Sequence, residues 1–434
     1  MPGLRRRALD RLRAPLREVG LNTVAFAMII AIQQLLVFPG LGRMLPPAGF
    51  SQVILLITIS TIAVNVIGGE ASKVALIRGE AYRSRALPWD APRIVLGGCA
   101  LIILAVVVLA VARLLPVPIA APYALITVLG ILRTFGTTPD KHRGAFHRVV
   151  LAHAAYAVGA VGGLLLVPAT GSPFTPFLLA ESLCVLVVLI IRRRHREVPL
   201  TLRRTRAFRG TLRPYLGLAL IALLINAVTY LDRLLITPLL GAEALAIYYS
   251  ASALSSSLAL VTNPGGNALL ARLGRMPDAR RRQVFARGAL VALPLVLLCW
   301  GASLVIAAAG LFALYPGHAR AALPLLLPVS LAAAFSNASS LLAPLLQRFL
   351  PVRRLLGFTA CYAAVYLLAV IVLSARWRLP GFAWATAMAA GALFALYLAQ
   401  VRATARTGFR RAGPPGSART APADPVAPAT PAKR

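Results

Sequence analysis

Two adjacent charges, Asp232 and Arg233, interrupt one of the most apolar stretches of the chain, Tyr215–Tyr249, which reads YLGLALIALLINAVTYLDRLLITPLLGAEALAIYY. A carboxylate can take up and release a proton. A guanidinium is a permanent cation whose planar fork of donors suits phosphate or carboxylate oxygens. At the centre of a membrane-spanning helix each such charge costs about 2.5 to 3.5 kcal/mol, so a sequence that keeps the pair uses it. A third charge, Glu181, lies in another apolar run. At about 1.5 Å per residue, Glu181, Asp232 and Arg233 all fall roughly 10 Å in from the same end of their helices. Matching heights allow an ion pair between Glu181 and Arg233, one that breaks and re-forms as the two halves of the chain move. Neighbouring helical residues point about 100° apart, so Asp232 and Arg233 do not pair only with each other. The alternative is that they neutralise neighbouring groups and simply hold helices together.

Other polar side chains inside apolar runs are Gln33, Gln34, Asn65, Asn226, Ser255, Ser256, Ser257, Asn263, Ser336, Asn337, Ser339 and Ser340. Each alone reads as a tie between membrane helices, worth about 0.6 kcal/mol. Together, and above all Gln33, Gln34, Asn65 and Asn226, they can line a wet cavity. His153 and Tyr156 read as a packing pair rather than a proton relay. The four cysteines are scattered singly with no metal-ligand spacing, so no metal and no cofactor is expected. The sequence carries no phosphate-binding loop, no nucleophile elbow and no zinc-protease motif, so catalysis is not expected.

The elements that must position these residues are membrane helices. Of the 434 residues, 59% are hydrophobic and 13% charged, with a mean hydropathy of +0.78. The apolar residues come in runs of about 18 to 25, the length that crosses a bilayer as helix. The expected fold is an all-α polytopic membrane protein with about twelve transmembrane helices in two six-helix lobes. The spans fall at about 21–43, 50–69, 94–114, 121–138, 149–168, 174–191, 215–239, 245–265, 289–312, 322–345, 355–374 and 381–400. A formal net charge of +34 would suggest nucleic acid in a soluble chain. Here about 40 of the 46 Lys and Arg fall at the N-terminus, in alternate connections or in the tail, which is the pattern of cytoplasmic loops. Nucleic acid is therefore not an expected partner, whereas anionic lipid headgroups are. Arg133 is counted with the basic connection that follows span four, together with Lys141, Arg143 and Arg148. The opposite connections hold only Arg43, Arg113, Arg320, Arg376 and Arg378.

The resulting organisation is a basic cytoplasmic segment (1–20), an N-lobe (21–191), a basic linker (192–213), a C-lobe (214–402) and a Pro/Ala-rich tail (403–434). Both termini are expected to be cytoplasmic and the tail disordered. The halves echo each other weakly. Leu35–Gly42 (LLVFPGLG) and Leu234–Gly241 (LLITPLLG) agree at five of eight positions, and each closes the first span of its half.

The chain resembles the polysaccharide-exporter and flippase branch of the multidrug/oligosaccharidyl-lipid/polysaccharide superfamily. The likeness rests on the six-plus-six plan and the turn Leu45–Phe50. It rests further on Asp232–Ile236 ahead of Leu240–Gly241 and Ile247–Tyr248, and on span eight running into Pro264 and Leu270–Arg275. The resemblance implies two lobes around a cavity that opens alternately to either side of a bacterial plasma membrane. It implies a lipid-linked oligosaccharide as cargo, with its diphosphate met by cavity arginines. The family's span-seven Asp-basic pair falls on Asp232 and Arg233. Gln33 and Gln34 stand where a basic cavity residue would have sat in span one. A glycan polymerase or glycosyltransferases are implied as partners, and the coupling ion or potential is left open. Two other functions compete: an ion-coupled exporter of small cationic drugs, using Glu181 or Asp232 as the titrating acid, and a non-transporting scaffold. A major-facilitator plan is disfavoured because only Gly266–Arg282, and not Gly69–Arg93, echoes its loop signature.

Overall fold

The computed structural model describes residues 27–76, 90–194, 208–259, 278–347 and 352–407, together with Gly20, Val24, Ala25 and Thr262. Several expectations lie outside the described residues. They concern the basic segment 1–19, the middle of the linker at 195–207, Asn263, Pro264, Leu270–Arg275 and the tail beyond 407.

The main helices are α1 (Ala27–Met44), α2 (Pro47–Leu76), α3 (Ala91–Val111), α4 (Val117–Gly136), α5 (Phe146–Thr170) and α6 (Thr175–Arg194). They continue with α7 (Phe208–Thr229), α8 (Leu231–Leu240), α9 (Ala242–Ser255), α10 (Asp278–Leu314), α11 (Leu326–Gln347) and α12 (Val352–Thr407). Ten helices among the described residues are long and apolar enough to cross a bilayer. The expected spans eleven and twelve are merged in one 49-residue run, Gly357–Ala405. At about 1.5 Å per residue such a run is more than twice the thickness of a hydrocarbon core. It folds back at Arg378, whose φ of 48° and ψ of −127° leave the helical region. Gly381 is required there, because a Cβ would collide with the Leu373 carbonyl. Spans seven and eight are built from α7 with α8 and from α9.

Local chemistry explains the boundaries. Proline opens α2, α3 and α4, where its missing N–H leaves nothing unsatisfied. Gly171 (φ 64°) closes α5 and Gly241 (φ 92°) separates α8 from α9. In α1, Pro39 cannot donate to the turn before it, and a π-turn at Gln33–Val37 absorbs the mismatch. A second π-turn, Val64–Gly69, lies within α2 and carries Asn65. The α5–α6 hairpin packs backbone to backbone: a Cβ on Gly159 would stand 2.6 Å from the Leu179 carbonyl, and one on Gly163 2.6 Å from Pro176 Cα.

The buried residues fall into unequal clusters. The largest joins both lobes, with Phe38, Leu41, Phe50 and Ile54 from the first two helices against Ile236, Tyr249, Leu254, Leu311 and Tyr315. A second belongs to the N-lobe (Val74, Ile94, Phe135) and takes in Tyr215 and Ala219 of α7. A third belongs to the C-lobe (Phe285, Val296, Leu342, Phe394). The lobes are thus sealed together at the arginine-poor face, while towards the basic face the N-lobe core takes in only α7 of the C-lobe.

The seal is polar at its rim. Arg43, at the end of α1, donates from Nε to the Leu314 carbonyl (3.3 Å) and from Nη2 to that of Ala313. Ser51 of α2 donates to the Ala242 carbonyl. The two echoing segments meet here too: Phe38 and Leu41 from the first, and Ile236 from the second, are buried in the shared cluster.

Candidate functional site

Span seven breaks at Tyr230, whose φ of −105° and ψ of 15° end α7 and start α8. The break places Asp232 and Arg233 in the first turn of α8, where backbone N–H groups have no helical partner. Asp232 supplies one: its Oδ1 accepts the Arg233 backbone N–H at 2.8 Å. A carboxylate here also meets the positive end of the half-helix. The hydroxyl of Tyr248 faces the same carboxylate and lies 3.4 Å from Thr386 Oγ1, which in turn donates to the Tyr366 hydroxyl at 3.4 Å.

Arg233 is held differently. Its guanidinium lies over the rings of Tyr249 (4.9 Å) and Tyr230 (5.3 Å). No carboxylate among the described residues is within ion-pair distance of it, and its Nε is buried without a hydrogen-bond partner. The charge therefore sits in a low-dielectric site with aromatic support, with the adjacent Asp232 carboxylate acting on it only at longer range. Such a cation is costly when empty and strongly attractive to an anion.

The expected pair between Glu181 and Arg233 does not form. Glu181 is taken by Arg133 of α4, whose Nε and Nη2 reach Oε2 and Oε1 at 2.7 and 3.2 Å. Arg133 was assigned to the basic connection because it stands just before a charged stretch. In the structure it is the last turn of the helix, and its side chain is 15% exposed. The signal that would have found it is the helical period: Ile126, Gly130 and Arg133 share the buried face. Gly130 lets α2 pack close beside the pair, since its Cβ would stand 2.8 Å from Val64 Cγ2.

Arg133 also lies 5.5 Å above the Tyr156 ring, and the Tyr156 hydroxyl accepts from Gln33 Nε2 at 2.7 Å. Gln33, Tyr156, Arg133 and Glu181 thus form one network across four N-lobe helices. Phe38 contacts Phe177 of α6, the helix that carries Glu181 (5.6 Å), and Tyr249, the ring beneath Arg233 (5.0 Å).

The remaining candidates separate clearly. Asn65 donates to Asn226 Oδ1 at 2.9 Å, one amide from the π-turn of α2 and the other from α7 just before its break. Both are solvent-reachable, and Asn226 also donates to the Ala222 carbonyl at 2.8 Å. Gln34 is half-buried and makes no hydrogen bond to the described residues. Ser255 and Ser256 turn back onto carbonyls of their own helix, a helix-shaping role rather than a cavity one. His153 bonds the Ala25 carbonyl at 2.8 Å through Nδ1. Tyr248 enters the sequence reading only through the family resemblance, and Tyr230, Tyr249 and Tyr366 not as site residues, because nothing in a linear reading brings three helices to one point.

The fold is similar to that of several solved membrane transporters. A multidrug resistance MATE family transporter in its inward-facing conformation superposes with a TM-score of 0.60 at 13% identity, over 89% of this chain and 99% of its own. Lipid II flippase MurJ, in its inward closed conformation, gives 0.60 at 12% identity, over 88% and 87%. The Vibrio cholerae MATE transporter VcmN in its bent form gives 0.59 at 14%, over 90% and 98%. No family model matches the sequence, and no curated protein does.

Proposed function

We propose that the protein is an alternating-access transporter that carries a lipid-linked oligosaccharide, or a related polysaccharide precursor, across the cytoplasmic membrane. The observation that carries this reading is Arg233: a buried guanidinium at a helix break, with no carboxylate within ion-pair distance among the described residues and an unsatisfied Nε, next to the surface where the two lobes meet. A diphosphate headgroup supplies the missing acceptors, and bidentate contact with phosphate oxygens is what guanidinium does best. The shut arginine-poor face, against a single C-lobe helix joining the N-lobe core towards the basic face, supports a molecule poised to receive cargo from the cytoplasmic side. Fold likeness extends equally to the flippase and to the drug exporters, so it does not choose between cargoes.

The acid inventory does favour one. An exporter of cationic drugs needs a free carboxylate in the cavity. Glu181 is bound to Arg133, and Asp232 is engaged by the N–H groups of its own helix and by Tyr248. On this reading membrane lipids, a glycan polymerase and glycosyltransferases are the working partners. The test is binding: native mass spectrometry of the purified protein with a polyprenyl-diphosphate sugar and its monophosphate analogue. The diphosphate should bind more tightly, and Arg233→Gln should erase most of the difference. Equal binding of both by the wild type would overturn the assignment.

A further inference from the structure

The seal at the arginine-poor face contains one group outside the membrane-spanning helices that changes charge near neutral pH, His318. It sits between α10 and the short helix Ala319–Ala322, on the C-lobe side of the seam. Its ring stacks on Phe50 of α2, a fully buried N-lobe side chain, with centroids 6.1 Å apart and planes 10° from parallel. Phe50 is also gripped by Tyr315 (6.3 Å) and Tyr249 (6.1 Å), so the histidine closes one side of an aromatic box around an N-lobe residue. The backbone fixes the ring in place: His318 N–H donates to Tyr315, and its carbonyl accepts from Ala322. His318 Nε2 is buried and has no hydrogen-bond partner.

We infer that His318 is a proton-operated latch on the arginine-poor mouth, holding the lobes together when neutral and releasing them when protonated. An imidazolium has two N–H donors, and this site offers Nε2 no acceptor. The charged and titratable groups on the surrounding elements are Arg43 on α1, Glu243 on α9, Tyr315 and Arg320. Arg43 is occupied by the carbonyls of Ala313 and Leu314. Glu243 favours the cation, but burial outweighs it and holds the imidazole below its ordinary value of 6.5.

The direction follows. A base whose affinity for protons is lower in the closed form than in the open one leaves the closed form unaffected above about pH 6.5. Below that pH the closed form is progressively disfavoured, by up to about tenfold in the open-to-closed ratio per pH unit for one proton. By the positive-inside rule the arginine-poor face is external, so acid outside the cell would promote opening outward.

The latch acts on conformation whatever the cargo, and its test reads conformation alone. Full-length protein in lipid nanodiscs carries spin labels through Met44→Cys and Gly317→Cys, both exposed and on opposite sides of the seam, with the four native cysteines replaced by Ser. Between pH 8 and pH 5 the wild-type background should gain a longer inter-label distance at the expense of the short one, by at least fivefold. His318→Gln should keep the short distance throughout. Glu243→Gln removes the one group that favours the cation in the closed form, so it should widen the gap in proton affinity and increase the gain of the long distance at acid pH. An unchanged distance distribution across the range, or a transition that survives in His318→Gln, would overturn the latch.

Discussion

Replacing Glu181 with Gln isolates the N-lobe network most sharply. The pair it breaks is bidentate, at 2.7 and 3.2 Å, with side chains only 8% and 15% exposed. Removing one member of a buried pair leaves the other charge uncompensated, at about 3 to 5 kcal/mol. Gln at 181 still accepts one hydrogen bond from Arg133, so the lower end, about 3 kcal/mol, is expected, roughly a 150-fold loss in folded over unfolded population. Arg133→Gln should cost a similar amount. The double substitution replaces an ion pair by two amides and should recover about 2 kcal/mol relative to the sum of the singles. The assay is a double-mutant cycle by reversible denaturation in mixed micelles, with Arg233→Gln crossed against Glu181→Gln as the control pair. The control should be additive to within about 0.5 kcal/mol, because Glu181 is bound to Arg133 and makes no ion pair with Arg233. Additivity with Arg133 together with coupling to Arg233 would refute the assignment of Glu181's partner.

Three further outcomes follow from the same geometry. Gly159→Val and Gly163→Val each drive a side chain into the backbone of α6 and should destabilise the protein by about 1 to 3 kcal/mol, read as loss of thermal stability in detergent. Asn65→Ala removes the amide bridge to Asn226 at a cost of about 0.6 kcal/mol in stability. Its larger effect should be on conformation, as faster hydrogen exchange of α7 measured by mass spectrometry. Leu at both 232 and 233 should abolish transport while leaving the protein in the membrane; retained function would support a scaffold.

Much of this arrangement is legible in the sequence, for reasons that particular residues make plain. The spans can be read because crossing a bilayer demands an unbroken apolar run. Asp232 and Arg233 stand out because charge inside such a run is costly. The partners of these charges could not be read. Glu181 had one visible cation at matching height, Arg233, while its true partner Arg133 was disguised by the basic connection beside it. Asn65 and Asn226 were both marked as polar, yet their bridge depends on a π-turn in α2 that no local signal announces. The tyrosines around Asp232 come from positions as far apart as Tyr230 and Tyr366. Their convergence is a property of helix packing, not of any one segment.

The claim that Arg233 receives the anionic headgroup of a lipid-borne cargo is tested most directly in proteoliposomes. The measurement is the rate at which a fluorescent lipid-diphosphate sugar becomes accessible to an external quencher or enzyme, for wild type, Arg233→Lys and Arg233→Gln. Wild type should translocate the lipid, Lys should retain part of the rate through its charge, and Gln should fall to the protein-free background. Translocation by Arg233→Gln at the wild-type rate, or none by the wild type under any ion gradient or potential, would contradict the account.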